Sequence, residues 1–292
     1  MLNNRYKIFR KLAHGYYATL WLAKDLVNNN YVAVKVHSAK DKLRIPLKKD
    51  HPNVERLLDH FVHDGVNGKQ VCTVFEPLGR SLRGVLCEAL DVKFESEEYP
   101  RTLGKYAKYY PRQWTLNLAR EICRQVLVAL DVLHSQGIAH RDVHPGNIAF
   151  ALAFDINSMS MDEVQQRGAW YSDTNESEDD EDWDKKNIRK LEGDIMPVKR
   201  LDKEPLGPNE IQYIVVASRI HDRTVFDDMP PFRAVLIDLD DSRPFDDCDQ
   251  PLIQPSNYRP PESILPIPIT HKADIFSAGI MLYEIVTTRD IV

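Results

Sequence analysis

Cysteine is scarce. The 292-residue chain holds four, Cys72, Cys87, Cys123 and Cys248, and no two are spaced C-x-x-C. Neither a disulfide-dense scaffold nor a zinc cluster is expected, and a reducing compartment is the simplest setting. Long apolar runs are missing as well. No stretch approaches the roughly 18 residues of a membrane-spanning helix, and Met1 to Lys7 lack the apolar centre of a secretory signal, which leaves no basis for a membrane span or for secretion. Charge of one sign is absent outside one place. The net charge of -6 arises because residues 173–184 carry eight acids and no base; elsewhere 38 basic residues face 36 acidic ones. Bulk charge therefore gives no pointer to nucleic acid, and neither a direct nucleic-acid partner nor a membrane partner is expected.

What remains is a globular composition, 43% hydrophobic and 28% charged, in a length that fits one large domain or two small ones. Tyr6 to Phe9, Leu20 to Leu22 and Tyr31 to Val36 read as strands. Asn28-Asn29-Asn30 joins the last two, because asparagine tolerates positive φ. Val71 to Phe75 is a further apolar strand after the turn Gly65-Val66-Asn67-Gly68. From Arg112 to His134 the period changes to 3.6, with Trp114, Leu118, Ile122, Val126, Ala129, Leu130 and Leu133 on one face and Gly137 closing the segment. A second helix is expected from Lys272 to Val286, mostly apolar through Ile275, Phe276, Gly279, Ile280, Leu282 and Tyr283. Strands first and helices later predict an α+β, two-lobed arrangement. Residues 155–230 read as an insert with one strand-like piece, Tyr213 to Val216, and a disordered acidic centre.

The strongest chemical signal is His140-Arg141-Asp142-Val143-His144-Pro145-Gly146-Asn147 running into the apolar strand Ile148-Ala149-Phe150, with a later acid in Leu236-Ile237-Asp238. Phosphoryl transfer needs a carboxylate beside the attacking hydroxyl and oxygen ligands that hold Mg²⁺ on the nucleotide phosphates. Asp142 suits the first task, and Asn147 and Asp238 suit the second, because Mg²⁺ is a hard cation. Upstream, Leu12 to Leu20 includes Gly15 in a hairpin that lets backbone N–H groups approach phosphate, and Val32-Ala33-Val34-Lys35 brings a lysine to the next strand.

These motifs together resemble the protein kinase superfamily, from about Tyr6 to the end of the chain. Phe75-Glu76-Pro77-Leu78 resembles the segment that receives adenine. Tyr258-Arg259-Pro260-Pro261-Glu262 resembles the end of an activation segment, and Asp274-Ile275-Phe276-Ser277-Ala278-Gly279 resembles the helix whose aspartate anchors the catalytic loop. Leu57-Leu58-Asp59-His60-Phe61, Val74 to Leu82, and the insert between Asp142 and Asp238 are similar to the serine/arginine-rich-protein kinases, fungal members especially. The resemblance implies a bilobal kinase-like fold with an N-terminal antiparallel sheet and a mainly helical C-lobe. It divides the chain into an N-lobe over 1–79, a first C-lobe part over 80–154, the acidic insert over 155–230, and a metal loop, activation segment and helix over 231–292. It also implies ATP and Mg²⁺ as cofactors and transfer of the γ-phosphate to serines of arginine/serine-rich proteins by a monomer in cytoplasm and nucleus. Leu12, Gly15, Leu20, Ala33, Lys35, Glu76 and Leu78 would bind ATP, Asn147 and Asp238 the metal, and Asp142 and Lys35 would be catalytic.

The chain departs from that pattern in several places. No glutamate lies between Lys35 and Glu55, and Pro46 shortens or removes the helix that would bear the lysine's partner. Asp240 stands where the metal loop has glycine, and His144 where most protein kinases have lysine. The chain ends just after the Lys272 helix, leaving the C-lobe incomplete and apolar surface exposed. These departures favour the alternative of a pseudokinase or scaffolding fragment. A small-molecule kinase, suggested by His-x-Asp-x-His-Pro-Gly-Asn, is disfavoured by the Tyr258 to Glu262 segment. Arg141 is compatible with an activation segment ordered by phosphate on Ser242, Ser256 or Tyr258.

Overall fold

The computed structural model describes residues 1–15, 17–38, 47–65, 68–86, 116–167, 195–197, 213–215, 217, 220, 232–248 and 250–287. The acidic run at 173–184, the Lys42 to Ile45 stretch with Pro46, and Trp114 lie outside them. The chain divides into two compact units.

The first unit comprises residues 1–41, 59–77 and 154–221. Its described part is built on a five-stranded sheet of β1 (Tyr6–His14), β2 (Ala18–Asp25), β3 (Asn30–His37), β4 (Leu57–Gly65) and β5 (Gly68–Phe75), ordered β1-β2-β3-β5-β4. Asn29 takes φ +52° in the turn expected at the asparagine run. Asp25 fixes that turn by accepting the Val27 and Asn28 amides. One sheet face packs Leu2, Tyr6, Ala23, Val32, Val34, Cys72 and Val74 together. Burial pushes the Cys72 thiol up to about 11.

Arg5, just before β1, ties the start of that strand to β2 and to β4, the strand at the other end of the sheet order. Its guanidinium forks onto Asp25 at 2.7 and 2.8 Å and reaches Asp59 at 3.0 Å, while the Tyr6 hydroxyl donates to Asp59 at 2.5 Å. Residues at the start of the insert are ordered in this unit. Asn157 Oδ1 accepts the Tyr31 amide at 2.7 Å, and the Tyr31 hydroxyl donates to the Met159 carbonyl. Ser160 and Glu163 then form a reciprocal capping box that starts α2 (Met161–Arg167). The expected strand near Tyr213 is β10 (Tyr213–Val215), antiparallel to β9 (Ile195–Pro197).

The second unit comprises residues 42–58, 78–153 and 222–292. The expected amphipathic helix is α1 (Leu116–Ser135), which buries Leu118, Ile122, Val126, Ala129, Leu130 and Leu133 and ends at Gly137, φ +74°. It packs on a three-stranded sheet ordered β11 (Ala234–Leu236), β8 (Ile148–Ala151), β6 (Leu78–Ser81), all antiparallel. β7 (Ile138–Ala139) pairs with β12 (Arg243–Pro244).

The last helix, α3 (Lys272–Thr287), runs where it was expected but faces inward with other residues. It buries Ala273, Asp274, Ser277, Ala278, Met281, Glu284 and Ile285, whereas Ile275, Phe276 and Tyr283 are exposed, Ile275 by 51%. Hydrogen-bonding partners for Asp274, Ser277 and Glu284 exist only on the inner side, and they decide the facing over hydropathy. Ile264, Leu265 and Ile267 before the helix are exposed as well.

The Arg5 hydrogen bond, reinforced by the Val27 and Asn28 amides, holds the Asp25 carboxyl down at about 2. A depressed acid stabilises the fold above its unfolded pKa, and that stability is lost as pH falls through the folded value. Asp25→Asn should therefore cost about 2 kcal/mol at pH 7, and the gap to wild type in urea melts should close as pH is lowered from 4 toward 2.

Candidate active site

The loop from His140 to Asn147 hangs between β7 and β8, and one buried carboxylate sets its shape. Asp274, 1% exposed, accepts the His140 amide on Oδ2 and the Arg141 amide on Oδ1, both at 2.7 Å, and its Oδ2 meets His134 Nε2 at 2.8 Å. This is the anchoring role expected for Asp274. Both carboxylate oxygens are thereby committed, and Arg141 is held at φ +73°, in the left-handed region that a bulky residue occupies only under constraint. His140 completes the frame. Its Nδ1 accepts the Asp142 amide at 3.2 Å, which fixes Nε2 as the protonated nitrogen donating to the Ile237 carbonyl at 3.0 Å.

Arg141 is satisfied by the backbone. Its buried guanidinium donates to the backbone carbonyls of Cys248, Gln250 (2.7 Å) and Pro251 (3.1 Å). The segment after Asp238 is thus held by neutral carbonyls, where the sequence suggested a phosphate. Two of the three suggested acceptors are enclosed. Tyr258 is fully buried, with its hydroxyl donating to Glu284 at 2.6 Å and accepting from Arg83 at 3.0 Å. Ser242 is buried and donates to the Leu239 carbonyl at 2.6 Å.

At the centre, Asn147 Nδ2 donates to the Asp142 carbonyl at 2.9 Å and to Asp142 Oδ2 at 2.8 Å. The other oxygen, Asp142 Oδ1, is buried with no hydrogen-bond partner, and His144 Nε2 lies 3.5 Å from it. His144 Nδ1 accepts the Gly146 amide at 3.0 Å, so in the neutral ring the proton sits on Nε2, which makes no hydrogen bond to that oxygen. Tyr258 backs the His144 ring at 5.8 Å between centroids. A desolvated carboxylate oxygen left open is what a base for a hydroxyl proton requires.

Asn147 and Asp238 are brought side by side by the β8–β11 ladder, in which Leu236 pairs with Ile148 and the Ile237 amide donates to the Asn147 carbonyl at 2.9 Å. Because Asn147 Nδ2 is spent on Asp142, its amide oxygen is the donor atom left that could serve a cation. With the Asp238 carboxylate this is a hard, all-oxygen donor pair that suits Mg²⁺, an ion normally shared between one or two carboxylates and substrate phosphates. Asp238 sits at φ +63°, ψ +62°, and its amide donates to Glu55 Oε2 at 3.2 Å. Glu55 was not singled out from sequence.

In the first unit the nucleotide-binding candidates share one sheet. Leu20 lies opposite Ala13 and Lys35, Leu22 opposite Ala33, and Ala33 opposite Phe75, after which comes Glu76. Leu12 and Ala33 are buried. Gly15 has open space: an added Cβ would meet only the Ala18 carbonyl at 3.9 Å, so any demand for glycine there comes from a ligand. Leu78 begins β6 in the second unit.

No family model matches the chain. A solved kinase-domain crystal structure aligns with all of it and with 67% of its own length, at TM-score 0.57 and 19% identity. The fold is that of a protein kinase. Serine/threonine-protein kinase SKY1 of Saccharomyces cerevisiae is 34% identical over 164 residues, 49% of this chain and 19% of that protein. Protein kinase dsk1 of Schizosaccharomyces pombe is 33% identical over 171 residues, 52% and 28% of the two chains. Human SRSF protein kinase 3 is 30% identical over 165 residues, 51% and 26%. The matched region thus spans less than a third of each of these relatives.

The kinase loop's histidine depends on its glycine. A Cβ on Gly146 would fall 2.6 Å from His144 Cε1 and 2.8 Å from Nδ1, so the ring must swing away. Gly146→Ala should cost about 1–3 kcal/mol. In a His144→Ala background the same change should cost markedly less, and urea melts of the four proteins in that cycle measure the difference.

Proposed function

We propose that this chain carries the catalytic core of an ATP- and Mg²⁺-dependent serine/threonine protein kinase acting on serines of arginine/serine-rich proteins. The observation that carries the reading is the open, buried Asp142 Oδ1 beside the oxygen pair of Asn147 and Asp238. Asp142 takes or orients the proton of the substrate hydroxyl. Asn147, through Nδ2, fixes the Asp142 carboxylate so that one oxygen remains for that proton. Bound Mg²⁺ would supply charge neutralisation on the phosphates, held by the Asn147 amide oxygen and Asp238. Leu12, Gly15, Leu20, Ala33, Glu76 and Leu78 are assigned to the nucleotide, and Lys35 to its α/β-phosphates. Transfer of this kind rests on positioning and electrostatics, and the loop's tight hydrogen bonding supports both.

The substrate class comes from the relatives, two of which are named as serine/threonine or SRSF protein kinases. Function as a monomer in cytoplasm and nucleus is part of the same proposal.

The test is phosphate transfer from Mg-ATP to an arginine/serine-repeat peptide, beside a peptide without arginines. Transfer preferring the repeat is expected, and Asp142→Asn should lower it by about 10²–10⁴-fold, the range for removing a positioned acid–base group. Folded protein that transfers to neither peptide would instead support the pseudokinase reading.

A further inference from the structure

Glu55 is the first glutamate of the chain, and the protein spends an unusual number of hydrogen bonds to place it. Val54 forms a parallel bridge to Leu236 and is 2% exposed in the second unit's core. The Leu236 amide donates to the Asn53 carbonyl at 2.8 Å, and the Glu55 amide to the Leu236 carbonyl at 2.9 Å. Asn53 Nδ2 donates to the Ala234 carbonyl at 2.7 Å and to Gln125 Oε1 at 2.9 Å; the same Gln125 oxygen accepts the Ala234 amide at 2.7 Å. Gln125, buried on α1, also donates to the Phe232 carbonyl at 3.1 Å. Residues 53–55 are therefore clamped along the free edge of β11 as a short parallel strand. That clamp delivers the Glu55 carboxylate to the point where β11 ends and the metal-holding loop begins.

There Asp238 adopts a left-handed conformation unusual for a residue with a side chain. Its amide, turned out of the sheet by that conformation, finds its acceptor in Glu55 Oε2. An amide without such a partner would cost free energy comparable to a lost hydrogen bond, and a charged acceptor makes this bond stronger than a neutral one. We infer that Glu55 is the positioning residue for Asp238: by capping its amide, Glu55 holds the backbone turn that presents the Asp238 carboxylate to the metal. In this chain the organising acid comes from the β11 edge, in a sequence with no glutamate between Lys35 and that edge. The inference rests on the kinase reading for what Asp238 holds, and on geometry alone for what holds Asp238.

Two substitutions separate reach from charge. Glu55→Gln keeps an oxygen at the right distance and loses the charge, while Glu55→Asp keeps the charge and falls short by about 1.5 Å. The first readout is hydrogen exchange of the Asp238 amide in nucleotide-free protein. Protection should survive in Glu55→Gln and fall about tenfold in Glu55→Asp, the loss expected of one charge-assisted hydrogen bond. The second is the Mg²⁺ concentration that half-saturates the ATP-dependent rise in melting temperature. It should rise about tenfold in Glu55→Asp and by less than about threefold in Glu55→Gln. Unchanged amide protection in Glu55→Asp overturns the proposal, as does a Glu55→Gln midpoint displaced as far as that of Glu55→Asp. Wild-type protein whose melting temperature ignores Mg-ATP overturns the kinase reading instead, and the amide exchange still decides whether Glu55 holds Asp238.

Discussion

One carboxylate with both oxygens spent on backbone amides underlies the second unit. Asp274 is buried on α3 and receives His140 and Arg141. Leaving those two amides without an acceptor would cost about 1–3 kcal/mol each, and more than stability is involved. The left-handed Arg141 exists only because its amide has somewhere to go. From that turn the guanidinium is sent one way, to the carbonyls at 248–251, and Asp142 the other, toward Asn147. A single anchor thus sets both the Asp142 carboxylate and the path of the segment that follows Asp238.

The β11 strand does comparable work from the other side. It is only three residues long, yet β8 uses one edge to bring Asn147 beside Ile237, and residues 53–55 use the other to reach Asp238. Short strands are weak alone. This one is stabilised because Ala234 and Leu236 lie in the same apolar cluster as Leu118, Ile122, Ile148 and Phe150. The apolar face of α1 therefore bears on the candidate site at one remove: it fixes the strand from which Asn147 and Asp238 are both positioned.

How much of this was legible beforehand follows from what each feature depends on. Four of the five strands of the first sheet, the α1 face and the Gly137 stop are local patterns of spacing and turn chemistry, and the structure keeps them; β4 was not read as a strand. Asp142, Asn147 and Asp238 were readable because their spacing carries a chemical requirement, and the ladder does bring Asn147 beside the Asp238 turn. The facing of α3 was not readable. Its apolar residues lie all round, so periodicity cannot choose a side, and the choice falls to Asp274, Ser277 and Glu284, whose partners are distant in sequence. Glu55 was invisible for the same reason. Nothing about a glutamate after His51-Pro52-Asn53-Val54 announces an amide 183 residues away. For Arg141 the sequence left a phosphate and an unmodified loop both open, because the three carbonyls that satisfy its guanidinium lie more than a hundred residues away in the chain.

That substitution of carbonyls for an anion changes what the segment after Asp238 depends on. A phosphate would make its order conditional on a modifying enzyme, since the charge has to arrive before the arginine is satisfied. Backbone carbonyls are present from the moment the chain folds. Four further hydrogen bonds of the segment are of the same unconditional kind: Gln254 Nε2 donates to the Tyr258 carbonyl and to Ser277, Arg259 to the Gln254 carbonyl, and Tyr258 to Glu284. Each link joins the segment either to itself or to α3, the helix that also carries Asp274. The same sixteen-residue helix therefore anchors both the loop from His140 to Asn147 and the segment beyond Asp238.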